Sequence, residues 1–143
     1  MFVSDILVHK GDRIVSVAPG DSLVSAIATL SARRIGAVLV LDRGGAPVGI
    51  LSERDILHAV ADDGATALAG RVADVMSSPV VCCDRDDTVE RAMELMTEGR
   101  FRHLPVLGGG VLVGLISIGD VVKWRLSEIR QEAEDLRQYI AAA

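Results

Sequence analysis

The residues of this chain best suited to chemistry are two copies of one short pattern, Ser-x-x-Asp, at Ser52/Asp55 and at Ser117/Asp120. Each copy follows an apolar run and opens a stretch with helical periodicity. A serine in that place caps a helix by accepting from its first free N–H groups, and the aspartate favours the positive end of the helix dipole. The same end of a helix also holds anions. A carboxylate beside it can accept two hydroxyl donors at once, which is what a ribose diol requires. A pattern present twice therefore reads both as two caps and as two related small-molecule sites. Basic residues gather at matching places: Arg33 and Arg34, Arg100 with Arg102 and His103, Lys10 with Arg13, and Arg54 inside the first motif. On an acidic chain these are candidate phosphate partners, although a solvated helix end accounts for several of them equally well.

Catalytic patterns are not in evidence. His9, His58 and His103 share no metal-ligand spacing, and there is no HExxH, CxxC, nucleophile elbow or phosphate loop. The expectation is a protein that is not an enzyme and holds no metal or catalytic cofactor. Cys82 and Cys83 are neighbours. On a strand they point to opposite faces, so they read as two reduced thiols. A net charge of −5 and an aromatic content of 3% count against nucleic acid, which asks for a basic face and stacking platforms. No apolar run reaches the roughly 18 residues that span a bilayer. No basic segment followed by an apolar stretch marks a signal peptide. A cytoplasmic protein away from membranes is expected.

The elements that must position the two motifs come from a duplication. Asp21 matches Asp87, Ala26 matches Ala92 and Arg34 matches Arg100. Val40-Leu41 matches Val106-Leu107 and Val48-Gly49 matches Val113-Gly114, so that Ser52/Asp55 falls on Ser117/Asp120. Upstream, the segment from Val3 to Leu7 echoes that from Val72 to Met76. Leu23, Ala26, Ile27 and Leu30 fall on one helical face, as do Val89, Ala92, Met93 and Met96. Asp21 or Ser22 is expected to cap the first helix, and Asp87 with Glu90 to form a capping box for the second. Apolar strands are predicted over Ala37–Leu41 and Val48–Leu51, and again over Leu104–Leu107 and Val111–Ile116, with glycine turns inside each pair. Closing helices start near Glu53 and Ile118, Gly64 stops the first of them, and residues 62–70 read as a connector. Each half is thus a β-α-β-β-α unit too small to be stable alone. Two such units are expected to pack sheet to sheet around a pseudo-twofold axis, giving an α+β fold. Beyond them Leu126, Ile129, Ala133, Leu136 and Ile140 recur at steps of three and four, which is a short heptad stripe suited either to lying on its own domain or to self-association.

Taken in context, Gly49-Ile50-Leu51-Ser52-Glu53-Arg54-Asp55 and Gly114-Leu115-Ile116-Ser117-Ile118-Gly119-Asp120 resemble a pair of CBS domains, named for cystathionine β-synthase. The run from Met96 through Arg102-His103 to Val106 resembles the second repeat of small bacterial stand-alone CBS-pair proteins. The resemblance covers about residues 3–125 and implies one repeat over 1–68, a second over 69–125 and an extra C-terminal helix over 126–143. It implies a regulatory module that takes an adenine nucleotide, AMP, ATP or NAD(H), in clefts between the repeats. One site would use Ser52, Arg54 and Asp55, with Val81 near the adenine and Arg102 and His103 near phosphate. The other would use Ser117 and Asp120, with Lys10, Arg13, Val15, Gly36 and Ala37. Asp55 and Asp120 would hold ribose hydroxyls. Gly119 stands where the first repeat has Arg54, and Gly36-Ala37 where the second has Arg102-His103, so the sites are expected to differ. The family resemblance further implies a homodimer and an unidentified effector protein. A scaffold without ligand is the rival reading.

Overall fold

The computed structural model describes residues 1–11 and 13–142. Helix α2 (Leu23–Arg33) forms where Leu23, Ala26 and Leu30 bury one face and where Ser22 Oγ accepts the Ser25 N–H at 3.1 Å. Its counterpart α5 (Val89–Gly99) buries Val89, Ala92 and Met96. The cap here differs from the expected one: Thr88 Oγ1 accepts the Arg91 N–H at 3.0 Å. Asp87 instead accepts the Asp84 N–H at 2.8 Å and closes the turn ahead of the helix, as Asp21 does with the Ala18 N–H at 2.9 Å. An aspartate one residue before the cap stabilises the entering turn, so the hydroxyl that follows it is left to cap. Both helices end on an arginine in the left-handed region, Arg34 at φ 53° and Arg100 at φ 54°, which turns the chain back toward a strand.

Those strands build two three-stranded sheets. In one, β1 (Ser16–Val17) runs parallel to β2 (Ala37–Leu41), which pairs antiparallel with β3 (Pro47–Ser52) and sets Ala37 opposite Ser52. In the other the order is β4 (Cys83–Asp84), β5 (His103–Gly108), β6 (Val111–Ser117), with β4 parallel to β5. The leading strand of each repeat is only two residues long. Helix α3 (Glu53–Asp63) ends at Gly64 as its sequence predicts. The connector that follows is not irregular: Gly64–Ala69 forms a 3₁₀ helix and α4 (Val72–Val75) comes directly after. The closing helix of the second repeat does not stop near residue 125, because α6 (Ile118–Ala142) is one unbroken helix of 25 residues. No glycine or proline after Gly119 interrupts it.

The chain forms two compact units whose limits differ from a simple halving. One comprises Met1–Asp12, Cys83–Gly108 and Val113–Ala143, and the other Arg13–Cys82 and Gly109–Leu112. In the first unit Val3 and Ile6 of helix α1 (Val3–Lys10) are buried with Val89, Ala92, Leu104, Val106, Ile116 and Val121. In the second, Val72 of α4 is buried with Leu23, Ala26, Val38, Val40 and Leu51. The two echoed segments thus do the same job, each supplying a short helix to a β-α-β-β-α core, and each belongs to the unit built from the other repeat. Each fully buried aliphatic side chain contributes about 1.5–3 kcal/mol through burial. Glycine sits where the short helix crosses the last strand. A Cβ on Gly114 would stand 2.6 Å from Leu7 Cδ2, and one on Gly49 would stand 2.5 Å from Met76 Sδ.

Candidate functional site

The Ser-x-x-Asp motifs have closely similar geometry in the two units. In the second unit the Ser52 N–H and hydroxyl both donate to Asp55 Oδ2 at 3.0 Å, and the Asp55 N–H returns a bond to Ser52 Oγ at 3.2 Å. In the first, the Ser117 N–H and hydroxyl donate to Asp120 Oδ2 at 2.8 and 3.0 Å, and the Asp120 N–H donates to Ser117 Oγ at 3.2 Å. These are reciprocal caps, so each motif closes the N-terminus of its helix. The caps also fix each carboxylate rigidly at a helix N-terminus, where fixed negative charge is favoured.

The surroundings then separate the two. Lys10 Nζ lies 2.5 Å from Asp120 Oδ2 and donates to the Leu115 carbonyl at 3.0 Å. Among the described residues Asp120 Oδ1 accepts no hydrogen bond. Burial alone would raise the Asp120 pKa, but the Lys10 hydrogen bond, the Ser117 backbone N–H and the Lys10 charge outweigh it and hold the carboxyl below its ordinary value. His103, on β5, is pushed below its ordinary value by burial first and then by Lys10, with Asp120 opposing and Arg102 adding to the depression. Lys10, which the resemblance groups with Ser117 and Asp120, is therefore brought to them. At Asp55 the second carboxylate oxygen is taken by Ser77, whose hydroxyl donates to Oδ1 at 2.8 Å.

The residue before the middle strand and the first residue of that strand sit beside the motif of their own repeat. The Gly36 carbonyl accepts the Glu53 N–H at 2.9 Å, and Ala37 pairs with Ser52. The Arg102 carbonyl accepts the Ile118 N–H at 2.8 Å. Gly36 lies against the Glu53 carboxylate, whereas the equivalent place in the other repeat carries Arg102 and His103. Arg54 is exposed and, among the described residues, makes no ion pair. Arg13 is exposed ahead of β1, Val15 is half-buried, and Val81 is exposed ahead of β4. All three lie in the second unit. A cavity of about 430 Å³ opens beside α3, lined by Asp55, His58, Asp62, Thr66 and Asp74 among others. Its acidic wall repels phosphate, so the cationic setting belongs to Ser117/Asp120. Ser77 had no signal in the sequence. It reaches Asp55 because its backbone pairs with Ile50 on β3 at 2.9 and 3.0 Å, a bridge that no local pattern announces. Among the described residues no three His, Cys, Asp or Glu side chains are placed to hold a metal ion. No helix among them is long and apolar enough to cross a membrane.

Two copies of a β-α-β-β-α core, each ending in a serine-capped helix that fixes an aspartate, define a tandem-repeat module. The CBS-domain family model matches residues 3–62 and 72–127, and the chain belongs to the CBS-domain family. Among solved structures, it is similar to the CBS-domain containing protein ATU1752 from Agrobacterium tumefaciens, with 49% identity, 87% of this chain and 92% of that one covered, and a TM-score of 0.83. It is also similar to the CBS domain protein PAE2072 from Pyrobaculum aerophilum, a complex with AMP, at 31% identity, 84% and 89% coverage and a TM-score of 0.73. Among characterised sequences, the mitochondrial CBS domain-containing protein CBSX3 of Arabidopsis thaliana is 32% identical over 96% of this chain and 71% of its own length.

Proposed function

We propose that this chain is a regulatory module that binds an adenine nucleotide at its Ser-x-x-Asp motifs and passes the bound state to a partner protein. The observation that carries the reading is the Asp120 carboxylate. It is held ionised by Ser117 and Lys10, and its Oδ1 is open as an acceptor among the described residues. Ribose hydroxyls are donors that seek such an oxygen. Lys10 supplies a cation for a phosphate, and the family resemblance adds Arg13, with Val15, Gly36 and Ala37 for the adenine. Ser52, Arg54, Asp55 and Val81 form the second candidate set, to which the family resemblance adds Arg102 and His103, although His103 is coupled electrostatically to Lys10 and Asp120. There Ser77 occupies one carboxylate oxygen and Glu53 adds negative charge, so this set is the poorer host for a phosphorylated ligand. The AMP bound by the Pyrobaculum protein supports the same ligand class here, with AMP, ATP and NAD(H) as the members to test. Both serine hydroxyls and both aspartates are engaged in helix caps, which suits a ligand that is sensed and not turned over.

The test is a thermal-shift panel with AMP, ADP, ATP, NAD, NADH and S-adenosylmethionine, repeated on Asp55→Ala and Asp120→Ala. A ligand at about 100 times its Kd stabilises a fold by roughly 2.7 kcal/mol, which is several degrees for a chain of this size. At least one adenine nucleotide is expected to raise Tm, with the larger loss of that shift in Asp120→Ala. Absence of any shift across the panel would instead favour a ligand-free scaffold.

A further inference from the structure

The last four turns of α6 lie outside the residues that the family model matches, which end at 127. From Ile129 onward every described residue of this helix is exposed. Yet the helix carries an unbroken apolar stripe at heptad spacing, Val122, Leu126, Ile129, Ala133, Leu136 and Ile140, with Leu136 59% and Ile140 65% exposed. A helix of this length with no tertiary cover is marginal in water. An exposed stripe of this kind marks an interface.

We infer that this stripe is the seam of a two-stranded, parallel, in-register coiled coil with a second copy of the same chain. The charges flanking the stripe select both the occupant and its direction. One flank carries Lys123, Arg130 and Arg137, all basic, and the other carries Arg125, Glu132 and Tyr139. Antiparallel pairing sets like flank against like flank and brings the three basic residues against their own copies. Parallel pairing sets each flank against the other, so that Glu132 faces Arg137 of the second copy, twice by symmetry. The one unfavourable parallel pair, Arg125 with Arg130, is moderated because Arg125 is already paired with Glu128 at 3.0 Å and Glu90 at 3.9 Å. The stripe is thus self-complementary in one orientation only. The inference stands independently of which ligand the chain binds.

The test uses the full chain with Cys82→Ser, into which Ile140→Cys or Gln138→Cys is introduced. Ile140 lies on the seam, and Gln138 on the far face. In a parallel, in-register pair two seam cysteines at one position approach within disulfide range, and far-face ones do not. Under mild oxidation of the folded protein, Ile140→Cys is expected to give a covalent dimer on a non-reducing gel and Gln138→Cys to stay monomeric. Equal cross-linking of the two would overturn the inference, and so would no cross-linking of either. So would linkage of Ile140→Cys only to chains carrying Val122→Cys, the antiparallel result. The charge argument is checked separately by sedimentation. Glu132→Lys and Arg137→Glu should each weaken dimerisation several-fold, and together restore it. Two single effects that simply add would sink the assigned pairing. Both positions are exposed in the single chain, so folding is not at stake.

Discussion

Lys10 sets the electrostatics of both Asp120 and His103. It bonds the first and repels a proton from the second, so one substitution should move two titrations in a defined way. In Lys10→Met the Asp120 carboxyl loses its strongest favourable partner, and its midpoint should rise. His103 loses a neighbouring positive charge, and its midpoint should rise too. In Asp120→Asn the only opposing influence on His103 disappears, and that midpoint should fall further. Carbon- and proton-detected NMR titrations read both groups directly; a His103 midpoint that moves the same way in the two variants would show that the three side chains do not share a site. The consequence for stability follows from linkage. A histidine with a depressed folded pKa binds fewer protons than the unfolded chain does, so its contribution is present above the ordinary value near 6.5 and is lost as pH falls through the folded value. Asp120 behaves likewise at lower pH: its contribution is present above the ordinary carboxylate range and is lost as pH falls through its own lowered value. The motifs themselves were legible in the sequence, because Ser52 and Ser117 act over three residues and a cap is a local event. Ser77 and the Lys10–Asp120 pair were not legible as contacts, since each depends on elements far apart in the chain.

The short helices α1 and α4 show what duplication does to packing. Each lies over the last strand of a sheet at a glycine, but the two crossings are not equally tight. Beyond the Met76 side chain, a Cβ on Gly49 would also stand 3.1 Å from the Ser77 carbonyl, a backbone group already bonded to the Ile50 N–H at 3.0 Å. The atoms nearest a Cβ on Gly114 would be those of the branched end of the Leu7 side chain, which can swing aside. Gly49→Ala should therefore cost about 1–3 kcal/mol, the usual range for overpacking, and Gly114→Ala less than about 1 kcal/mol. Urea unfolding midpoints would decide it, and equal losses would mean that the two crossings yield alike. Gly49→Ala should also displace Ser77 and loosen its bond to Asp55, tying the packing of α4 to the second motif. At this scale the sequence was informative about α2, α5 and the middle strands, whose periodicity and glycine turns are strong. It could not show that each short helix joins the unit of the other repeat, because Val3–Leu7 and Val72–Met76 look alike and either core accepts either helix by pattern alone. Nor did it show that the stripe beginning at Leu126 continues the helix from Ile118 without a break.

For the molecule as a whole, α6 links two properties that are otherwise separate. Its first turn carries Asp120, and Val121 is buried in the core of the first unit, while its last turns carry the exposed stripe. A rigid rod joins them, so a ligand that reorders the Lys10–Asp120 contact acts on the root of the helix that pairs with a second copy. Binding and assembly should then be thermodynamically coupled, and such coupling is reciprocal: whatever factor the nucleotide adds to dimer affinity, dimerisation adds to nucleotide affinity. The thermal midpoint offers a direct measurement. If pairing through α6 stabilises the fold, Tm of the full chain rises with protein concentration, and this dependence weakens when residues 128–143 are removed. The shortened chain retains both motifs and both cores, so it should still respond to the stabilising nucleotide, but with a smaller shift at a concentration where the full chain is dimeric. An unchanged concentration dependence after truncation would place assembly elsewhere on the molecule. An identical nucleotide shift in both chains would show that Asp120 and the stripe, though on one helix, do not communicate.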